Sequence, residues 1–125
     1  AAYTGRASAW DLEFLGDRGY EVLSTRSILS EAHRRASAGE RVGDVAASVQ
    51  HNLARGIAVM AIRAAEVRGI PRVALSGGVA YNRAIRETII GEVRGAGLEI
   101  VMNREYPLGD GCISFGQVVW GGSVD

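Results

Sequence analysis

The stretch that decides the fold is Arg72-Val-Ala-Leu-Ser-Gly-Gly-Val-Ala-Tyr-Asn82. From Arg72 to Ser76 it is short and almost wholly apolar, the pattern of a buried strand. Gly77 and Gly78 interrupt it. Helical spacing then runs from Val79 to Ala96 through Ile85, Ile89 and Val93, and Gly97 stops it. A second apolar run, Leu98–Met102, follows at once. Two strands joined by a helix of this length are expected to lie parallel, with a right-handed crossover.

Downstream, Tyr106–Gly111 reads as a loop and Ile113–Trp120 as a last helix. Upstream, residues 41–68 form the longest periodic segment. Val42, Val45, Val49, Leu53, Ile57, Met60, Ala64 and Val67 recur at spacings of three or four, and Gly69 and Pro71 end it. Ser24–Ala38 predicts another helix, with Ser24 or Thr25 as cap and Gly39 as stop. Tyr20–Leu23 reads as a short strand or a connector, and Gly16–Gly19 as a turn. Residues 7–15 predict a short helix with Trp10, Phe14 and Leu15 on one side. The expected order is α-α-α-β-α-β-α: one α/β domain over 1–125, helical to residue 70 and βαβα from 71. Two strands are too few for an independent parallel sheet. The remainder is expected from a second copy, as a homodimer, or from a longer chain. The chain opens on Ala1 and not methionine, consistent with a piece of something longer or a processed product.

Composition narrows the function. The 14 basic residues balance 14 acidic ones, so a sequence-independent nucleic-acid binder is not expected. All the basic residues are arginine, which excludes a Walker lysine, a Schiff base and a lysine general base. The single Cys112 excludes an internal disulfide and a thiolate zinc cluster, and suggests a reducing, cytoplasmic setting. No apolar run approaches the length of a membrane span.

Two places carry candidate chemistry. A strand that ends in Ser76-Gly77-Gly78 before a helix puts main chain and free N–H groups at the carboxyl end of the sheet, where ligands bind in such folds. Asn82, in the first turn, carries an amide suited to an adenine edge or a ribose hydroxyl. Gly-Gly here is equally compatible with a purely steric turn. Asp110 follows the second strand and precedes a helix. Parallel geometry places it near the glycine turn, as a ligand for a hard metal ion or as the cap of the last helix. Arg83 and Arg86 lie where they could reach phosphates, although Arg83 and Glu87 also match an exposed i,i+4 pair. His33 and His51 read as a solvated and a half-exposed helix histidine. Trp10 and Trp120 read as core or interface residues.

SGGVAYNRAIRE, followed about 30 residues later by YPLGDGCISFGQ, resembles the C-terminal end of the HypF-type hydrogenase-maturation carbamoyltransferases. Tyr3–Glu13 resembles that family's small-residue run ending in Leu-Glu, and Gln50-His51 stands where the family has Phe-His. The related tRNA threonylcarbamoyl transferases share the glycine loop, but their Thr-Asp-Asn turn is missing here. The resemblance implies part of an actin/hexokinase-like (ASKHA) subdomain that binds ATP or carbamoyl-adenylate. It implies that the carbamoyl group passes to a cysteine of a partner protein. It places Ser76, Gly77, Gly78 and Asn82 at the adenosine and Asp110 on a divalent metal (iron, zinc or magnesium). Cys112 departs from the family's Gly-Gly. The metal site's paired histidines are also missing, since His33 and His51 are the only two and do not form H-x-x-x-H. The chain is therefore expected to be inactive by itself. The alternative is a non-catalytic relative that acts as a dimerisation or binding module.

Overall fold

The computed structural model describes residues 5–17 and 20–122. The elements in order are β1 (Phe14–Asp17), β2 (Tyr20–Leu23), α1 (Thr25–Ser37), α2 (Val42–Arg68), β3 (Arg72–Leu75), α3 (Arg83–Gly95), β4 (Glu99–Met102) and α4 (Ile113–Gly121). Short 3₁₀ turns occupy Gly78–Tyr81 and Asp110–Cys112.

The α/β expectation holds in the second half. β3 and β4 pair in parallel, with Arg72 opposite Glu99 and Leu75 opposite Met102. One face of this sheet is built. Val73, Leu75, Leu98 and Ile100 pack on a core of Ala54, Ala58, Ile85, Ile89 and Val93, shared between α2 and α3. Gly69 ends α2 in the left-handed region at φ 62°, as a glycine stop should. Ser24 caps α1: its Oγ accepts from the Ser27 N–H at 3.3 Å. α3 starts later than the spacing predicts, because Gly78–Tyr81 forms a separate 3₁₀ turn and Asn82 then caps the helix.

The first half departs from the expectation. Residues 7–13 are not helical; they run without regular structure into β1, which pairs antiparallel with β2. Of the predicted turn, Gly16 and Asp17 belong to β1, while Arg18 and Gly19 lie outside the described residues. The cause is tertiary. Asp44, Ser48 and Asn52, four residues apart on α2, take the main chain of every second residue upstream. The Arg6 N–H donates to Asp44 Oδ1 at 2.6 Å, Ser8 N–H to Ser48 Oγ at 3.0 Å and Trp10 N–H to Asn52 Oδ1 at 2.8 Å. Four helical residues rise about 6 Å. Two extended residues span about 6.6 Å. The helix edge thus mimics a neighbouring strand, and a helix at 7–15 would forfeit those bonds.

Burial on α2 also differs from the apolar stripe. Val42 and Val67 are exposed, while Ser48, Asn52, Ala54 and Ala58 have no solvent exposure at all. α2 is sandwiched: one side meets α3, the other meets Trp10, Leu23 and Ile28 in a second core. Small and polar residues let both sides approach. A Cβ on Gly56 would stand 2.3 Å from Leu23 Cδ2. Asn52 is fully satisfied, its Nδ2 donating to the carbonyls of Ser8 and Ser48, each at 2.8 Å. Trp10 is core, as one of its two expectations had it, with Arg35 stacked over its ring at 5.2 Å.

Candidate nucleotide-facing site

β3 and β4 end side by side, and the two loops that leave them touch. The Gly77 N–H donates to the Leu108 carbonyl at 2.6 Å, and Ser76 Oγ–H donates to the same oxygen at 3.2 Å. The Gly109 N–H donates to the Tyr81 hydroxyl at 3.3 Å. A Cβ on Gly109 would lie 3.0 Å from the Tyr81 ring and 3.8 Å from the Gly78 Cα. Buried Leu108 anchors the second loop. The glycine turn and the loop that carries Asp110 therefore form one rim, at the end of the sheet where the parallel geometry predicts it.

Within this rim the expected residues differ in what they can offer. Gly77 adopts φ 100°, a conformation that costs any residue with a Cβ. In front of both Gly77 and Gly78 there is open space: a built Cβ meets no atom within 4 Å. This turn leaves room for something to approach the main chain. Ser76 has committed its hydroxyl proton to the rim itself and retains only lone pairs. Asn82 is committed twice. Its Oδ1 accepts from the Ile85 N–H at 3.3 Å, capping α3, and its Nδ2 donates to Gln50 Oε1 at 3.0 Å. One N–H of that amide is left for a ligand.

Asp110 opens the second 3₁₀ turn, exposed; its carbonyl accepts from the Ile113 N–H, while its carboxylate makes no hydrogen bond or ion pair with any described residue. The cap that sequence allowed for it is not formed: Cys112 stands at the start of α4 and provides no side-chain cap. A single carboxylate is a poor metal site. Among the described residues no group of three His, Cys, Asp or Glu is placed to hold an ion. His33 is exposed on α1, and His51 Nδ1 lies 3.4 Å from Thr88 Oγ1. The residues present do not make a metal centre on their own.

The arginines nearby are engaged. Arg83 pairs with Glu87 at 2.7 Å on an exposed face, as the i,i+4 spacing predicts. The Arg86 guanidinium donates to the Ala80 carbonyl at 3.1 Å and so braces the first 3₁₀ turn. Tyr81 was not singled out in the sequence and Gln50 entered only through the Gln50-His51 pair, yet Tyr81 bridges the two loops and Gln50 orients Asn82. Tyr81 gave a weak signal, an aromatic hydroxyl immediately before a helix cap. Gln50 gave none, because its partner lies 32 residues away.

A family model described as "Carbamoyltransferase, Kae1-like Domain, second subdomain" matches residues 1–117. The chain belongs to the HypF-like carbamoyltransferase family. The probable carbamoyltransferase HypF of Methanocaldococcus jannaschii is 29% identical over 98 residues, covering 78% of this chain and 13% of that protein. The carbamoyltransferase HypF of Rhizobium leguminosarum bv. viciae is 38% identical over 90 residues, covering 71% and 12%. A solved full-length HypF in a phosphate- and nucleotide-bound form superposes with a TM-score of 0.84 at 24% identity. That match covers 98% of this chain and 16% of that one, and shows the fold. The chain thus spans about an eighth of the length of these curated relatives. Among the described residues no helix is long and apolar enough to cross a membrane.

Proposed function

We propose that this subdomain forms one wall of the site at which a HypF-like carbamoyltransferase holds ATP or carbamoyl-adenylate during [NiFe]-hydrogenase maturation. The observation that carries the reading is the Gly77–Leu108 junction. It joins an open glycine turn, a helix start and a carboxylate that no described residue pairs, at one end of a parallel sheet. Helix starts and glycine turns favour anions, and the HypF structure that superposes on this chain was solved with phosphate and nucleotide. In this reading Gly77 and Gly78 give the nucleotide access to main chain. Asn82 offers its remaining N–H, with Gln50 fixing its orientation. Asp110 contributes one oxygen toward a divalent ion whose other ligands come from outside the described residues. The opposite wall, the strands that extend the β3–β4 sheet and the cysteine-bearing protein acceptor also come from elsewhere, and no catalytic step is assigned to this chain.

Calorimetry with ATP and AMP in the presence of magnesium tests the reading. Gly78→Val fills the open space and is expected to weaken binding by about tenfold or more, roughly 1.4 kcal/mol. Asp110→Ala should weaken ATP in magnesium and leave AMP unchanged. Wild-type chain that takes up neither nucleotide at millimolar concentration would contradict the reading. That outcome would favour the non-catalytic binding module, which the exposed Ile113, Val118 and Val119 of α4 would serve as a contact face. Light scattering would then show a dimer.

A further inference from the structure

The segment 6–13 has two edges. Toward α2 the main chain of residues 6, 8 and 10 is bonded, as described above; the Trp10 carbonyl also accepts from Arg55 at 3.1 Å. The other edge is different. The N–H and C=O groups of Ala7, Ala9 and Asp11 bond to no described residue, and all three residues are exposed. A groove of about 490 Å³ separates this edge from α1, and Ser27, Glu31 and Arg35 line its far wall. These three recur every fourth residue, about 6 Å apart along the helix. An extended chain repeats its side chains at about 6.6 Å, so a strand laid in the groove would meet them in step.

We propose that this groove binds an extended peptide, which pairs through its main chain with Ala7–Asp11 and turns basic side chains toward Asp11 and Glu13. Strand addition at a free edge draws affinity from main-chain hydrogen bonds and specificity from the alternate side chains. The edge suits it, because Ala7 and Ala9 present only methyl groups. Charge selects the partner. Glu31 is already neutralised by Arg34 and Arg35, each 2.7 Å away, whereas Asp11 and Glu13 make no ion pair with any described residue. Two uncompensated carboxylates at the mouth favour a cationic partner and repel an acidic one. A second copy of this chain is disfavoured, since antiparallel self-pairing about Ala9 sets Asp11 opposite Ala7 and Glu13 opposite Gly5 and gives neither carboxylate a cation. The inference does not depend on nucleotide binding.

The test uses the full chain and three N-acetylated probes: Val-Arg repeated three times, Val-Glu repeated three times, and the first peptide N-methylated at alternate residues. Calorimetry should show the Val-Arg peptide binding at least about tenfold more tightly than either other probe. Asp11→Asn combined with Glu13→Gln should erase the preference for arginine over glutamate while leaving thermal unfolding unaltered. Ala9→Pro, which removes an N–H that no described residue uses, should weaken the Val-Arg peptide. Hydrogen exchange gives a second readout. The amides of Ala7, Ala9 and Asp11 should exchange freely in the chain alone and slow when the Val-Arg peptide is added. Slow exchange without peptide, equal binding of the N-methylated probe, no charge preference, or no binding of any probe would each overturn the proposal. Slowing that rises with protein concentration would also overturn it, in favour of a second copy.

Discussion

Residues 6–10 and residues 113–120 are both short stretches rich in small or apolar side chains, and the protein treats them oppositely. The first has no regular secondary structure, yet it is fastened at every second residue to side chains 38 to 45 positions further on. The second is a regular helix, yet Ile113 is 55% exposed and Val118 73%, with the short turn before it as its main neighbour. Regular local structure and burial are therefore separate properties here. A polar face that looks solvated can be what fixes a neighbouring segment, and an apolar helix can be left uncovered by the residues described.

The largest expected effect breaks the first region. Asn52→Leu keeps the volume near constant but strands the Trp10 N–H and the Ser8 carbonyl in a buried site. A loss of roughly 2–4 kcal/mol is expected, read as a lower urea midpoint. The Trp10 amide should lose its hydrogen-exchange protection in the same variant. A loss below about 1 kcal/mol would mean that the segment is held by something other than these bonds.

A pH titration sharpens the comparison at the neighbouring helix. The hydrogen bonds from Arg34, and then from Arg35, hold the Glu31 carboxyl down from its ordinary 4.5 to about 2. Asp44 is lowered as well, first by Arg41 and then by the Arg6 N–H. A carboxylate with a depressed folded pKa contributes stability that is present above its unfolded pKa and lost as pH falls through the folded one. Stability should therefore decline from about pH 4.5 toward pH 2. Glu31→Gln should flatten that decline, costing stability at neutral pH and little at pH 2. An identical acid slope in the variant would remove Glu31 from the account. The smallest effect belongs to the second region: Val118→Ser should shift stability by no more than about 0.5 kcal/mol. A larger loss on chemical denaturation would show that α4 is covered in solution.

The second half of the fold was largely legible because its signals are local. The run from Arg72 to Ser76, the glycine pair and the spacing through Ile85, Ile89 and Val93 each report on their own neighbourhood, and the parallel pairing follows from the connection. The first half was misread where the deciding bonds are distant. Trp10, Phe14 and Leu15 fit a helical face, and nothing near them announces that Asn52 takes the Trp10 N–H while Phe14 and Leu15 pair with β2. The α2 stripe failed for a related reason. A helix packed on two sides buries small residues such as Ala54 and Ala58, which carry little hydrophobic signal. At the site, the meeting of the glycine turn with the Asp110 loop was legible from topology. Tyr81, which bridges the two loops, and Gln50, which orients Asn82 beside them, were not, because each acts through a contact across the fold.

In the proposed function the glycine turn and the Asp110 loop present one surface to a nucleotide. Amide chemical shifts of the isotope-labelled chain, followed as ATP and magnesium are added, test it most directly. The account predicts that Gly77, Gly78, Gly109 and Asp110 move together along one saturating curve, while Ala7 and Ala9 stay in place. Shifts confined to other parts of the chain, or a glycine turn that responds while the Asp110 loop does not, would contradict it.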